Sequence, residues 1–221
     1  MIGLAAVLLL SYLLGSIPTS VIIGRLFFGR DPRDLGSGNA GGTNAFRVFG
    51  WRAGVPTIFV DVGKGAAAVL LVSRIPVALP LPHEVVQLCA GCAAVVGHIW
   101  SLFAGFRGGK GVGTAAGMVA ALYPLGILCG AGVFGIVLIS TGIVSVASMA
   151  AAALFPVVLL ILDRTGATHV SPILFWFSLP IAALILFTHR ANIRRLLKGT
   201  ENKFPKLMLF ARLFGKKGRE G

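Results

Sequence analysis

The sequence predicts an all-α integral membrane protein: a bundle of seven transmembrane helices, with the N-terminus outside and the C-terminus in the cytoplasm. Three observations lead there. Of 221 residues, 56% are hydrophobic and only 12% are charged, against about 25% charged in an ordinary soluble domain, and the mean hydropathy is +0.90. Apolar runs of membrane-spanning length recur along the chain between short polar segments. The basic residues fall almost entirely into three of those segments.

Taken in order, the first helix is expected over residues 2–24. No positive stretch precedes its apolar run, so it reads as a membrane helix and not as a cleaved signal. Its Ser11, Tyr12 and Ser16 belong on the bundle side. A polar loop, 25–53, leads to a second helix over 54–73. A short proline-rich loop, 74–83, precedes a third helix over 84–104, and a second polar loop covers 105–111. The next apolar block, 112–140, has 29 residues, long for one span of about 20. Pro124 disfavours helix at Tyr123, so the block is either one kinked helix or two short ones. A helix over 144–162, a polar loop over 163–171, a last helix over 172–188 and a basic tail complete the chain.

Charge placement decides how the 112–140 block is divided. Loop 25–53 holds Arg25, Arg30, Arg33, Arg47 and Arg52, and loop 105–111 holds Arg107 and Lys110. The tail holds ten more basic residues, from Arg190 to Arg219, leaving only Lys64, Arg74 and Arg164 elsewhere. Two helices in the block put all three basic segments on the cytoplasmic side, as the positive-inside rule requires. The halves are then about 12 and 16 residues long and must thin the bilayer locally or sit within the bundle. The net charge of +13 reads as topology signal and headgroup attraction, with no nucleic-acid partner. Cys89 and Cys92 have CxxC spacing but lie in an apolar helix without a partner histidine, and Cys129 stands alone. All three read as small packing residues.

Three polar constellations carry the chemistry. The first is Gly36-Ser37-Gly38-Asn39-Ala40-Gly41-Gly42-Thr43-Asn44, followed by Arg47. Its glycines let the backbone approach a ligand closely, and its successive N–H groups can form an anion nest. Ser37, Asn39, Thr43 and Asn44 add donors, and Arg47 adds a cation for phosphate. The second is Gly108-Gly109-Lys110-Gly111, running straight into a helix, so that free N–H groups and a helix N-terminus lie beside Lys110. It lacks the Walker A spacing. The third is His189-x-x-Asn192-x-x-Arg195, each pair sharing a helical face, followed by Gly199-Thr200-Glu201. His98 stands just upstream of the second loop, and Ser145 and Ser148 open a helix. Asp61 and Lys64 lie within a span at i, i+3 and can pair, with structural pairing and ligand contact both open. No metal-ligand spacing and no aspartate-rich metal pattern is present, so the site is expected to bind phosphate without metal or other cofactor.

These residues together resemble the bacterial acyl-phosphate:glycerol-3-phosphate acyltransferases. The resemblance rests on Asp31-x-Arg33-x-x-Gly36-Ser37-Gly38-Asn39-x-Gly41-x-Thr43-Asn44-x-x-Arg47, Asp61-x-x-Lys64-Gly65, Gly97-His98, and Phe106-x-Gly108-Gly109-Lys110-Gly111-Val112-x-Thr114. It continues through Ser145, His189-x-x-Asn192-x-x-Arg195 and Gly199-Thr200-Glu201-x-Lys203. Gly42 and Gly142 depart from it, standing where alanine and arginine are common.

The resemblance implies a multi-pass enzyme of the bacterial inner membrane with its active site on the cytoplasmic side. It implies transfer of a fatty acyl group from acyl phosphate to the 1-hydroxyl of glycerol 3-phosphate, giving lysophosphatidic acid. Residues 1–204 would be one acyltransferase domain and 205–221 a basic tail. The expected catalytic residues are Ser37, Arg47, Lys110, His189 and Asn192. Gly36, Gly38, Asn39, Gly41, Thr43, Asn44, His98, Gly108, Gly109, Gly111, Ser145 and Glu201 are expected to bind substrate. The partners are the two substrates and membrane lipid, with no obligate protein partner. The proton acceptor is either His189 or the departing phosphate, and direct attack is preferred to a covalent acyl-Ser37 route. The competing reading is a transporter of a phosphorylated anion, to which glycine-broken helices would also suit.

Overall fold

A computed structural model describes residues 2–78 and 80–204. The expected basic tail, 205–221, lies outside the described residues. Ten α-helices are described: α1 (Ile2–Gly15), α2 (Thr19–Phe28), α3 (Gly42–Phe49), α4 (Trp51–Leu70), α5 (His83–Ile99), α6 (Val112–Leu122), α7 (Pro124–Thr141), α8 (Val144–Arg164), α9 (Pro172–Thr188) and α10 (Arg190–Leu197). The chain divides into two compact units between Pro124 and Leu125.

Among the described residues, five stretches are long and apolar enough to cross a membrane: Gly3–Phe28, Trp51–Arg74, His83–Ala104, Pro124–Thr141 and Val144–Arg164. Pro172–Thr188 with Arg190–Leu197 makes a sixth if that pair, bent by 54°, is one span; α6 is a shorter apolar helix. The block 112–140 is interrupted at Tyr123, whose backbone leaves the helical region (φ −147°, ψ 75°). Phe59 (78% exposed), Leu26 (74%) and Trp176 (66%) would be costly in water, but suit helix faces that meet lipid.

In the first unit the expected helix over 2–24 is two helices. Pro18 has no N–H to donate and pushes Ile17 away from the helical region, so α1 stops at Gly15 and α2 starts at Thr19. The expected helix over 84–104 stops at Ile99. Its last carbonyls are taken by other groups. Tyr12 Oη donates to Trp100 O at 2.8 Å, Gly108 N donates to Ile99 O at 3.1 Å and Gly109 N to His98 O at 3.0 Å. The loop expected over 25–53 contains α3, and α4 begins at Trp51, three residues earlier than expected. Gly50, at φ +81°, makes the corner between α3 and α4.

The core of this unit is Val7, Ala68, Val86, Ala90 and Ala94, with Leu14, Val72, Ile75 and Val77 packed around it. Helices α4 and α6 approach backbone to backbone. A Cβ on Gly65 would overlap Thr114 O, and one on Gly117 would overlap Val62 O. Without lipid-phase hydrophobic drive between helices, such close small-residue contact supplies the packing energy.

In the second unit α8 and α9 pack over Ala147 and Leu159, both fully buried, and Ile185, 2% exposed. Ser171 caps α9 by accepting from Ile173 N at 3.2 Å, with Pro172 next to it. Asp163 closes the preceding loop by accepting from Val170 N at 3.0 Å. After α10 the chain returns, and Phe204 N donates to Gly142 O at 2.7 Å.

Candidate active site

The first glycine loop is organised from within by Asn44, which is 1% exposed. Its amide nitrogen lies 2.7 Å from Pro32 O, 3.1 Å from Leu35 O and 3.1 Å from Asn39 O. Its carbonyl oxygen accepts from Ser37 N at 2.8 Å. Asn44 was expected to offer a donor to substrate. Its whole amide is instead occupied in shaping the Gly36–Asn39 turn, where Gly36 and Gly38 take positive φ. Ser37 and Asn39 are half-buried beside it. Gly41 stands at the N-cap of α3. Thr43 and Arg47 lie one turn apart on that helix, and so on one face.

The loop is tied to the second one. Asp31 accepts from Arg33 N at 2.9 Å, Nε at 3.0 Å and Nη2 at 2.8 Å, and from Arg25 Nη2 at 2.9 Å. The Arg33 guanidinium beside it holds the Asp31 carboxyl well below the usual carboxylate range, and Asp31 in turn raises Arg33. Arg33 Nη1 then reaches Ala104 O at 2.7 Å, in the short helical turn Leu102–Ala104.

The second glycine loop folds back over the end of α5. Phe106 N donates to Ser101 O at 2.7 Å, and the amides of Gly108 and Gly109 take the carbonyls of Ile99 and His98. A Cβ on Gly108 would overlap His98 O, and one on Gly109 would overlap His98 Nε2. Gly108 therefore has no room for a side chain, and one at Gly109 would have to displace the His98 ring. Gly111 (φ +85°) is the N-cap of α6, which sets half-buried Lys110 beside the free N–H groups of that helix's first turn. A narrow cleft, with no room for a water-sized group, is lined by Ala40, Gly108 and Gly109 and by the polar groups of Thr19, Asp61, Lys64, His98 and Ser101.

The second unit holds the tail motif. Glu201 accepts from Ser145 Oγ at 3.0 Å, Asn192 Nδ2 at 2.7 Å and Arg195 Nε at 2.7 Å. Burial raises the Glu201 carboxyl. The three donors outweigh that and leave it below its ordinary value. Asn192 is 3% exposed, and its Oδ1 has no hydrogen-bond partner. His189 is 2% exposed and sits at the junction of α9 and α10, its Nδ1 2.7 Å from Ile185 O. That contact fixes the ring plane at the bend.

A family profile described as glycerol-3-phosphate acyltransferase matches residues 5–199. The chain belongs to the glycerol-3-phosphate acyltransferase family. Relatives of that name in Pelodictyon phaeoclathratiforme and Chlorobium phaeobacteroides are 45% and 47% identical, each match covering 92% of this chain and 97% of the relative. The fold is similar to crystal structures of PlsY (YgiH), an integral membrane glycerol 3-phosphate acyltransferase. Its glycerol 3-phosphate form has a TM-score of 0.78 at 35% identity, and its lysophosphatidic acid form 0.75 at 33%. Each covers 94% of this chain and 98% of that one. This member of the acyltransferase family is thus a multi-pass membrane protein.

Four side chains lining the narrow cleft were not assigned from sequence. Asp61 and Lys64 were legible as an intramembrane pair, but their third partner, His98, lies more than thirty positions away. Thr19 and Ser101 carried a weaker signal: each follows a proline or tryptophan break at the end of an apolar run.

The Glu201 cluster makes a testable pH statement. A carboxyl whose folded value is depressed stabilises the fold above its unfolded value, about 4.3, and that contribution is lost as pH falls further. The unfolding temperature in detergent is expected to be flat from pH 7 to about pH 5 and to drop below about pH 4.3. Glu201→Gln should flatten part of that drop and lower the unfolding temperature at pH 7. An unchanged acid profile in the variant would show that Glu201 is not the group responsible.

Proposed function

We propose that the chain transfers a fatty acyl group from acyl phosphate to the 1-hydroxyl of sn-glycerol 3-phosphate, an early step of phospholipid biosynthesis. The hydroxyl oxygen bonds to the acyl carbon and the acyl–phosphate C–O bond breaks. Lysophosphatidic acid leaves with the new ester, and the hydroxyl proton ends on the released phosphate. The observation that carries this reading is the likeness, along 94% of the chain, to a protein with glycerol 3-phosphate and lysophosphatidic acid forms. Two glycine-rich backbones beside Arg47 and Lys110 support a site for phosphate-bearing substrates.

In this reading Ser37, Arg47 and Lys110 hold and neutralise phosphate, supported by the backbone of Gly36, Gly38, Asn39, Gly41, Thr43, Gly108, Gly109 and Gly111. His98 supports the second loop. His189 and Asn192 orient glycerol 3-phosphate, with Ser145 and Glu201 holding Asn192. Asn44 acts on the loop and not on the ligand. Residues 1–204 make up the acyltransferase domain. Seven spans, with the N-terminus outside and the segments 25–53, 105–111 and 189–204 in the cytoplasm, follow from the basic residues they carry; the membrane is the bacterial inner membrane.

The test is direct. Purified protein incubated with acyl phosphate and glycerol 3-phosphate is expected to form lysophosphatidic acid and one equivalent of phosphate. Product from an acyl thioester but not from acyl phosphate would overturn the donor assignment.

A further inference from the structure

Asp61 and Lys64, the buried ion pair of the first unit, have no assigned role in the reaction, and they stand beside His98. Asp61, Lys64 and His98 are 4%, 4% and 6% exposed. Lys64 Nζ lies 2.9 Å from Asp61 Oδ1 and donates to Ile17 O at 3.1 Å. Thr19 Oγ1 donates to the same carboxylate oxygen at 3.4 Å, and His98 Nδ1 lies 3.5 Å from it. An ion pair inside a membrane helix is costly, and an apolar pair of like volume would pack at least as well. Helix packing alone therefore does not explain the pair.

Its direction does. The carboxylate faces one edge of the His98 ring, at Nδ1. The opposite edge, Nε2, occupies the space that a Gly109 side chain would need, and the His98 carbonyl takes the Gly109 amide. The imidazole is thus a spacer, with α4 on one side and the second glycine loop on the other. Asp61 selects which ring edge faces the loop, because a ring nitrogen that carries hydrogen turns toward the carboxylate. Lys64 cancels the charge that this requires. The cleft that these side chains line is the one bounded by Ala40 of the first loop and Gly108 and Gly109 of the second.

We propose that Asp61, acting through His98, is a positioning residue for the phosphate-binding backbone of the second glycine loop, with Lys64 as its charge partner. This rests on the reading that the loop binds a substrate phosphate. That phosphate is either the glycerol 3-phosphate monoester or the acyl phosphate, and kinetics with each substrate varied separately distinguish them.

Asp61→Asn alone strands Lys64, so the decisive protein is the double variant Asp61→Asn/Lys64→Met, which removes both charges at nearly constant volume. It is expected to insert at wild-type levels and to unfold within a few degrees of wild type. KM should rise for one or both substrates, so that kcat/KM falls by about 10- to 100-fold, the scale of a 1 Å misplacement. Adding His98→Ala to it should cost little more, because the two act as one unit. Wild-type KM values, a fall confined to kcat, a fully additive His98→Ala effect, or loss of the double variant from the membrane would each overturn the proposal. An inactive wild-type protein would instead overturn the functional reading on which it rests.

Discussion

Lys110→Ala is expected to lower kcat/KM by about 10²–10³-fold, the scale for removing one group that stabilises developing charge, and to leave the protein inserted with little change in unfolding temperature. The asymmetry between activity and stability follows from where Lys110 stands. It is half-buried, it belongs to a loop whose backbone is held by the ends of α5, and it precedes the helix N-terminus at Gly111. The loop's shape is set by glycine amides and the His98 and Ile99 carbonyls, and the lysine adds charge to a cradle already made. Phosphate carries its negative charge into the transition state, where the leaving group gains more of it, so the cation acts on both KM and kcat. Initial rates with each substrate varied, alongside thermal unfolding in detergent, check this. Wild-type turnover would remove Lys110 from the site.

Asn44→Asp is expected to do the opposite and to damage fold and activity together. The change is nearly isosteric, so packing is kept. It removes both N–H donors from three carbonyls, those of Pro32, Leu35 and Asn39, and sets a carboxylate against them. The acceptor for Ser37 N survives but cannot compensate. A buried charge left without a partner costs about 3–5 kcal/mol, so the unfolding temperature should fall sharply and activity should drop by more than about 100-fold. Ser37→Ala provides the contrast. The Ser37 contact to Asn44 runs through its backbone N–H, so that variant should keep wild-type stability whatever it does to the rate. Equal unfolding temperatures for Asn44→Asp and wild type would refute the organising role.

The two glycine loops illustrate how far sequence reading reaches. Glycine density next to Lys110 and Arg47 points to phosphate on local grounds, because backbone freedom and cationic charge are properties of the residues themselves. The role of Asn44 is not local in that sense. An amide that binds a ligand and one that binds its own loop look identical until the carbonyls of Pro32 and Leu35 are known to converge on it. The apolar blocks were legible because burial in lipid acts on average composition. The break at Pro18 was not, because one proline barely changes the mean hydropathy of a long run. Helix α3 was hidden for a related reason: eight residues set among glycines and arginines carry too short a pattern to outweigh their surroundings. Asp61 and Lys64 advertised themselves as a pair at i, i+3, but the geometry that turns Asp61 toward His98 comes from the crossing of two helices.

The Arg33 bridge to Ala104 O spans 71 positions, and that distance carries a consequence for biogenesis. Until Ala104 has been synthesised, and α4 and α5 laid down before it, the guanidinium has no carbonyl to hold. The first glycine loop therefore leaves the ribosome early but is completed late. The helices come first, and the loop surface is finished on top of them.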